Sequence, residues 1–145
     1  MTPHHPRRRP PARFNRLALY LASFWISFVL FLNNQPGSAF KTPRIKLLPH
    51  SDKFAHFLFY AIMGALIWRA TIPQPGEPRR APVRHPLLFV FLIPCLVGLI
   101  DEINQVFVPG RSADVADWMT DAAGALTVIV LGWMLSRRKN SREFS

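Results

Sequence analysis

Ionisable and amide side chains occupy positions where this chain is otherwise most apolar. Such groups are costly at membrane depth and usually face a protein interior or a water-filled cavity. Their placement therefore indicates a site inside the protein. The candidate site residues are Asp52, Lys53, His56, Tyr60, Glu102, Gln105, Arg111, Asp114, Asp117 and Asp121.

These residue types suit acid–base chemistry on a bound ligand. His56 is the candidate general acid or base, because an imidazole titrates near neutral pH. Asp52 or Glu102 would orient it, and Asp117 and Asp121 would be proton or metal partners. Arg111 suits an anionic group, since a guanidinium can donate two parallel hydrogen bonds. We therefore assign candidate catalytic roles to His56, Glu102 and Asp117, and binding roles to the other members of the set.

Helical spacing brings the candidates onto shared faces. From Asp52 to Tyr60 the polar residues recur every four positions. From Asp114 to Asp121 they recur after three and then four positions. Residues three or four apart lie on the same side of a helix. Each polar stretch is therefore predicted to present its side chains in one direction.

The apolar runs that carry these residues predict the fold. Half of the 145 residues are hydrophobic, and a spanning helix needs about 20 of them in sequence. We predict an all-α membrane protein, a bundle of four transmembrane helices over residues 17–135. The predicted spans cover about 17–32, 54–72, 87–108 and 117–135. A disordered basic tail at 1–16 precedes them, and a basic tail at 136–145 follows.

The formal charge of +10 first suggests a nucleic-acid partner. The basic residues, however, lie in clumps between long apolar segments, which is typical of a multi-pass membrane protein. This distribution therefore argues against nucleic-acid binding and against a soluble enzyme.

The basic clumps also predict the orientation. Thirteen of the 18 Lys and Arg residues precede the first run, lie from Arg69 at the end of the second run to the start of the third, or follow the fourth. With four spans these regions share one side, and the positive-inside rule places that side and both termini in the cytoplasm. A cleaved signal peptide is the alternative interpretation of the first run, and it would leave three spans with the same orientation.

This topology predicts that the candidate residues meet. The second span begins outside, the third ends outside, and the fourth begins outside. His56, Glu102 and Asp117 lie at those outer ends. Three separate segments are therefore expected to deliver polar side chains to one chamber on the non-cytoplasmic side.

Two other interpretations of the chamber stay open. It could be a structural ion-pair network that holds three helices together and shapes a groove for a partner. Such networks also perturb the pKa values of their members, even where no reaction is catalysed. It could instead be a metal site using His56, Glu102, Asp117 and Asp121. No HxxxH or CxxC spacing supports a metal, so the sequence predicts neither a metal nor another cofactor.

The ordered motifs resemble the VanZ-like family of small membrane proteins. The resemblance covers residues 50–135 and rests on 52–60 (DKFAHFLFY), 101–105 (DEINQ), Pro109-Gly110-Arg111, and the series Asp114, Asp117, Asp121 and Gly124. By this resemblance, the family's polar positions fall on Asp52, Lys53 and His56, on Glu102 and Gln105, and on Arg111 and Asp117. Many members carry asparagine where this chain has Asp121.

The resemblance implies a function in the cell envelope. The namesake of the family is associated with resistance to glycopeptide antibiotics, especially teicoplanin. We therefore expect a protein of the bacterial inner membrane that binds or modifies a lipid or a lipid-linked cell-wall component. The resemblance names no reaction, so enzymatic activity stays open.

Overall fold

A computed structural model describes residues 14–36, 51–73 and 81–143. These residues form four α-helices and no strand: α1 (Arg16–Asn33), α2 (Ser51–Thr71), α3 (Pro86–Gln105) and α4 (Val115–Glu143). Each helix contains a stretch long and apolar enough to cross a membrane, which in α4 is Val115–Leu135. The prediction of an all-α bundle of four membrane-spanning helices is confirmed.

The helices begin and end where the local sequence provides caps. Asn15 caps α1, its side chain accepting a hydrogen bond from the amide of Ala18 at 3.0 Å. Pro86 begins α3, where a missing amide proton costs nothing. α1 begins at Arg16, the last residue of the segment 1–16 that we predicted to be a tail. The predicted disorder of residues 1–13 lies outside the described residues.

Three helix ends differ by three residues or more from the predicted boundaries, and one of them is the start of α2, at Ser51 instead of 54. α3 ends at Gln105 instead of continuing to 108, and turns lead to Gly110, which has a φ of 77°. Pro109 disfavours helical backbone at the residue before it, which explains why the helix stops early. α4 continues to Glu143, through most of the segment predicted as a basic tail.

The second helix is at the centre of the bundle. α2 packs against each of the other three helices, and most extensively against α4. Its Tyr60, Met63 and Ile67 are buried in a core shared with Val29 of α1 and Val90 of α3. Large apolar side chains such as phenylalanine and leucine cover much of the outside. This pattern, an apolar exterior around a tight interior, suits a lipid environment.

Small residues let α2 and α4 approach closely. A Cβ added at Gly124 would collide with the backbone carbonyl oxygen of Phe57 and lie 3.0 Å from the amide nitrogen of Ala61. Gly64, one turn further along α2, lies against the Cα of Ala125. Close backbone contact through small residues is a common way for membrane helices to associate. It brings the polar residues of these helices within reach of each other.

Candidate functional site

The polar cluster lies at one end of the bundle. The start of α2, the end of α3 and the start of α4 meet there, because consecutive helices run in opposite directions. His56, Glu102 and Asp117 come from these three helices. Each offers one ligand atom, and those atoms all lie within 4.8 Å of one another. The structure thus brings the three candidate catalytic residues together.

The imidazole of His56 is held by α4. Its Nδ1 lies 3.0 Å from Oδ1 of Asp121, and both side chains are buried. The ring also stacks in parallel on Tyr60, with centroids 6.2 Å apart. The orienting partner of His56 is therefore Asp121, whereas the sequence suggested Asp52 or Glu102.

Gly98 of α3 makes room for that partner. A Cβ at this position would lie 2.5 Å from Oδ2 of Asp121. The absence of a side chain at Gly98 therefore lets the Asp121 carboxylate lie directly against α3. The pair formed by His56 and Asp121 is enclosed by a third helix as a result.

Lys53 forms ion pairs with two aspartates at the rim of the cluster. Its ammonium nitrogen lies 2.8 Å from Oδ2 of Asp114 and 2.6 Å from Oδ1 of Asp117. The hydrogen bond from Lys53 holds the pKa of Asp114 below its ordinary value. Asp114 also caps α4, since its Oδ1 accepts a hydrogen bond from the amide of Ala116 at 2.8 Å. The start of α4 is thus anchored to α2.

Glu102 connects the end of α3 to the start of α4. Its Oε2 accepts a hydrogen bond from the backbone amide of Asp114 at 2.6 Å. This bond fixes the rotation of the carboxylate and leaves Oε1 buried without a hydrogen-bond partner in the described part of the chain. Glu102 is only 5% exposed, so bulk water does not satisfy that oxygen.

A third buried carboxylate, after Asp121 and Glu102, was not among the sequence candidates. Asp101 is fully buried, and its Oδ2 accepts hydrogen bonds from Asn33 at 2.6 Å and from Gln105 at 3.2 Å. Asn33 ends α1 and is itself buried. The contribution of Asn33 could have been found from the topology, because the predicted first span ends on the same side as the cluster. Through Asn33 all four helices contribute to the site.

Four buried oxygens in the cluster have no hydrogen-bond partner among the described residues. They are Oη of Tyr60, Oδ1 of Asp101, Oε1 of Glu102 and Oδ2 of Asp121. Buried polar atoms in folded proteins are almost always paired, with protein or with bound water. Such a concentration at one place therefore points to a ligand, to bound water or to protons.

The remaining candidates lie at the edge. Asp52 is exposed at the start of α2 and does not share the buried environment of His56. Arg111 is half-buried in the turn between α3 and α4, close enough to Asp101 for their charges to interact. The cluster therefore has a buried carboxylate-rich interior with Lys53 and Arg111 towards its rim.

A sequence model of the VanZ/LLP1 family matches residues 13–136, which include every candidate residue. The chain belongs to the VanZ/LLP1 family. The resemblance drawn from the motifs is thereby confirmed. No curated protein and no solved structure matches the chain.

The opposite end of this VanZ/LLP1 protein offers a contrast. A groove of about 470 Å³ opens there between α2, α3 and α4. Its lining is almost entirely apolar: Trp68, Ile72, Pro86, Leu87, Ile129, Val130 and Trp133. The residues that line this groove include no acid or base, in contrast to those of the polar cluster.

Proposed function

We propose that this protein binds or modifies a lipid or a lipid-linked cell-wall component at the polar cluster, on the non-cytoplasmic side of the bacterial inner membrane. The observation that carries the proposal is the convergence of His56, Glu102 and Asp117 within 4.8 Å at one end of an apolar bundle. A substrate that spans the boundary between hydrocarbon and water matches this arrangement. Its apolar chain contacts the exterior, and its head group reaches the cluster.

Two cations lie at the rim, where an anionic head group would compete with Asp114 and Asp117 for Lys53. Lys53 is half-buried, and Arg111 lies in the adjoining turn. Ammonium and guanidinium groups near a membrane surface attract phosphate head groups. The distribution of basic residues along the chain supports a non-cytoplasmic location for this end.

If the bound component is modified, His56 is the group suited to proton transfer. Asp121 holds Nδ1 at 3.0 Å, which leaves Nε2 to accept or donate a proton at the substrate. Glu102 and Asp117 lie beside it as further proton partners or as groups that position the substrate.

Native mass spectrometry of the protein released from membrane extracts tests the proposal. We expect a bound lipid or lipid-linked molecule on the wild-type chain. His56→Gln and Glu102→Gln should each lower the bound fraction at least tenfold without lowering the melting temperature by more than a few degrees. His85→Gln is the matched control, because His85 is exposed at the other end, before α3. Equal lipid binding in all four proteins would contradict the proposal.

A growth assay tests the glycopeptide link that the family suggests. Expression of the wild-type protein in a sensitive host should raise the teicoplanin concentration that inhibits growth. Glu102→Gln, present at the wild-type level in the membrane, should abolish that increase. Full protection by this variant would separate the cluster from any role in resistance.

A structural network is the second candidate function, and one observation favours it. His56 with Asp121 and Lys53 with Asp117 each join two helices. If that joining is the whole role, each substitution should reduce function in proportion to the lost protein level or stability. Loss of function at an unchanged level and melting temperature would eliminate this alternative.

A further inference from the structure

We propose that His56, Glu102 and Asp117 form a binding site for a divalent transition-metal cation such as Zn²⁺. Their ligand atoms lie within 4.8 Å of one another, a spacing that a single cation between them can bridge after small side-chain movements. Each ligand comes from a different helix, so no short sequence motif identifies the site. This inference goes beyond the proposed function and does not depend on it.

Glu102 supplies the independent observation that points to a ligand. One of its oxygens is fixed by the amide of Asp114, and the other, Oε1, is buried and has no hydrogen-bond partner among the described residues. The residue is 5% exposed. A buried carboxylate oxygen without a donor is costly unless a proton or a cation satisfies it. The neighbouring imidazole and the Asp117 carboxylate favour a cation that all three can coordinate.

His56 is already arranged as metal-binding histidines usually are. Such residues use one ring nitrogen for the metal and donate the other N–H to a carboxylate or carbonyl oxygen. Nδ1 of His56 lies 3.0 Å from Asp121. When Nδ1 carries the proton, Nε2 has the free lone pair that a metal requires. Asp121 is thus a positioning residue that fixes the tautomer and orientation of the ring.

The local charge balance favours a dication. In the described part of the chain, the cluster contains five carboxylates: Asp101, Glu102, Asp114, Asp117 and Asp121. The fixed positive charges near them are those of Lys53 and Arg111. The two positive charges of a dication in the buried part of the cluster would offset much of this excess of negative charge.

The donor set narrows the class of metal. One imidazole and two carboxylates, without a thiolate, suit Zn²⁺, Mn²⁺ or Fe²⁺ better than they suit a soft ion. Three protein ligands leave at least one coordination position open, as in catalytic rather than structural zinc sites. That open position is where water or the oxygen of a ligand would bind.

Titration of the detergent-purified, metal-stripped full chain with Zn²⁺ alone tests the proposal. The protein carries no affinity tag, and His4 and His5 are replaced by glutamine to remove an adventitious site. We expect one Zn²⁺ per chain. Glu102→Gln, which preserves side-chain size, and His56→Gln should each weaken binding at least tenfold, whereas His85→Gln should not change it.

Cobalt spectroscopy provides a second readout that does not depend on stability. Co²⁺ bound by nitrogen and oxygen ligands should give visible absorption bands, and Asp121→Asn should shift those bands and weaken binding about 10- to 100-fold. The proposal is overturned if the wild-type background binds less than about a tenth of an equivalent of Zn²⁺. It is also overturned if Glu102→Gln and His85→Gln bind equally tightly. Either result would leave lipid binding, which the mass-spectrometry experiment measures separately, unaffected.

Discussion

Replacement of Gly124 by alanine should separate the two helices that carry most of the site. The new Cβ would collide with the carbonyl oxygen of Phe57 and lie 3.0 Å from the amide nitrogen of Ala61. Carbon and carbonyl oxygen normally approach to about 3.3–3.6 Å, so α4 must move away from α2 by roughly 1 Å. Both colliding atoms belong to the backbone, which cannot rotate away as a side chain could.

Gly64→Ala is the matched control for that prediction. A Cβ at Gly64 would meet Val128 and the Cα of Ala125 at 3.5 Å, which is ordinary van der Waals contact. Both variants gain about 1 kcal/mol of helix propensity. Only Gly124→Ala adds the cost of overfilling the interface, about 1–3 kcal/mol. The two variants should therefore differ by about that amount.

Thermal unfolding in detergent, followed by the helical signal in circular dichroism, measures the difference. A difference of about 1–3 kcal/mol corresponds to a melting temperature roughly 3–10 °C lower for Gly124→Ala than for Gly64→Ala in a chain of this size. Gly64→Ala should melt at or above the wild-type temperature. If both variants melt together, the close approach of α2 and α4 at Gly124 is wrong, and so is the geometry of the site beside it.

Three further predictions concern the helix ends and the orientation. Trp118→Phe removes the hydrogen bond from the indole N–H to the carbonyl of Cys95, at 2.9 Å, and should lower the free energy of unfolding by about 0.5–1.5 kcal/mol in chemical denaturation. The pKa of Asp114 is lower in the folded protein than its ordinary value. The ionised carboxylate therefore stabilises the fold at any pH above that ordinary pKa, and this stabilisation is lost as the pH falls through the folded pKa. Lys53→Met should therefore flatten the decline in melting temperature below about pH 4, and an unchanged acid profile would contradict the ion pair. A fluorescent protein fused to the C-terminus should fluoresce, and alkaline phosphatase fused there should be inactive, if that terminus is cytoplasmic.

The polar end of the fold was predictable because two simple patterns agree. Four apolar runs fix the number of helices, and alternation of direction places the start of α2, the end of α3 and the start of α4 together. Helical spacing then aligns the polar residues within each stretch. His56, Glu102 and Asp117 could therefore be placed at one end from the sequence alone.

The pairing within the cluster was not predictable in the same way. Asp52 is one turn from His56 along the chain, yet it is exposed, and Asp121 of α4 binds the ring instead. Rotation of one helix against another decides such contacts. That rotation depends on glycines such as Gly98 and Gly124, whose meaning appears only once their neighbours are known.

Asn33 shows the same limit at longer range. It lies 68 residues from its partner Asp101, and an asparagine at the end of an apolar run is usually interpreted as an interfacial residue. The sequence offered His56, Glu102 and Asp117 among the residues of one possible metal site, but no short motif supported it, because these residues belong to three helices. Contacts between distant segments, rather than local propensity, create the chemistry of this site.

An experimental structure in nanodiscs of native lipids tests the central claim most directly. We expect His56, Glu102 and Asp117 around one cavity, with density for a lipid head group or a bound ion in contact with them. A separation between the imidazole of His56 and both carboxylates greater than a helix diameter, about 10 Å, would contradict it. So would a head group bound reproducibly at the other end of the bundle while the polar cluster is closed.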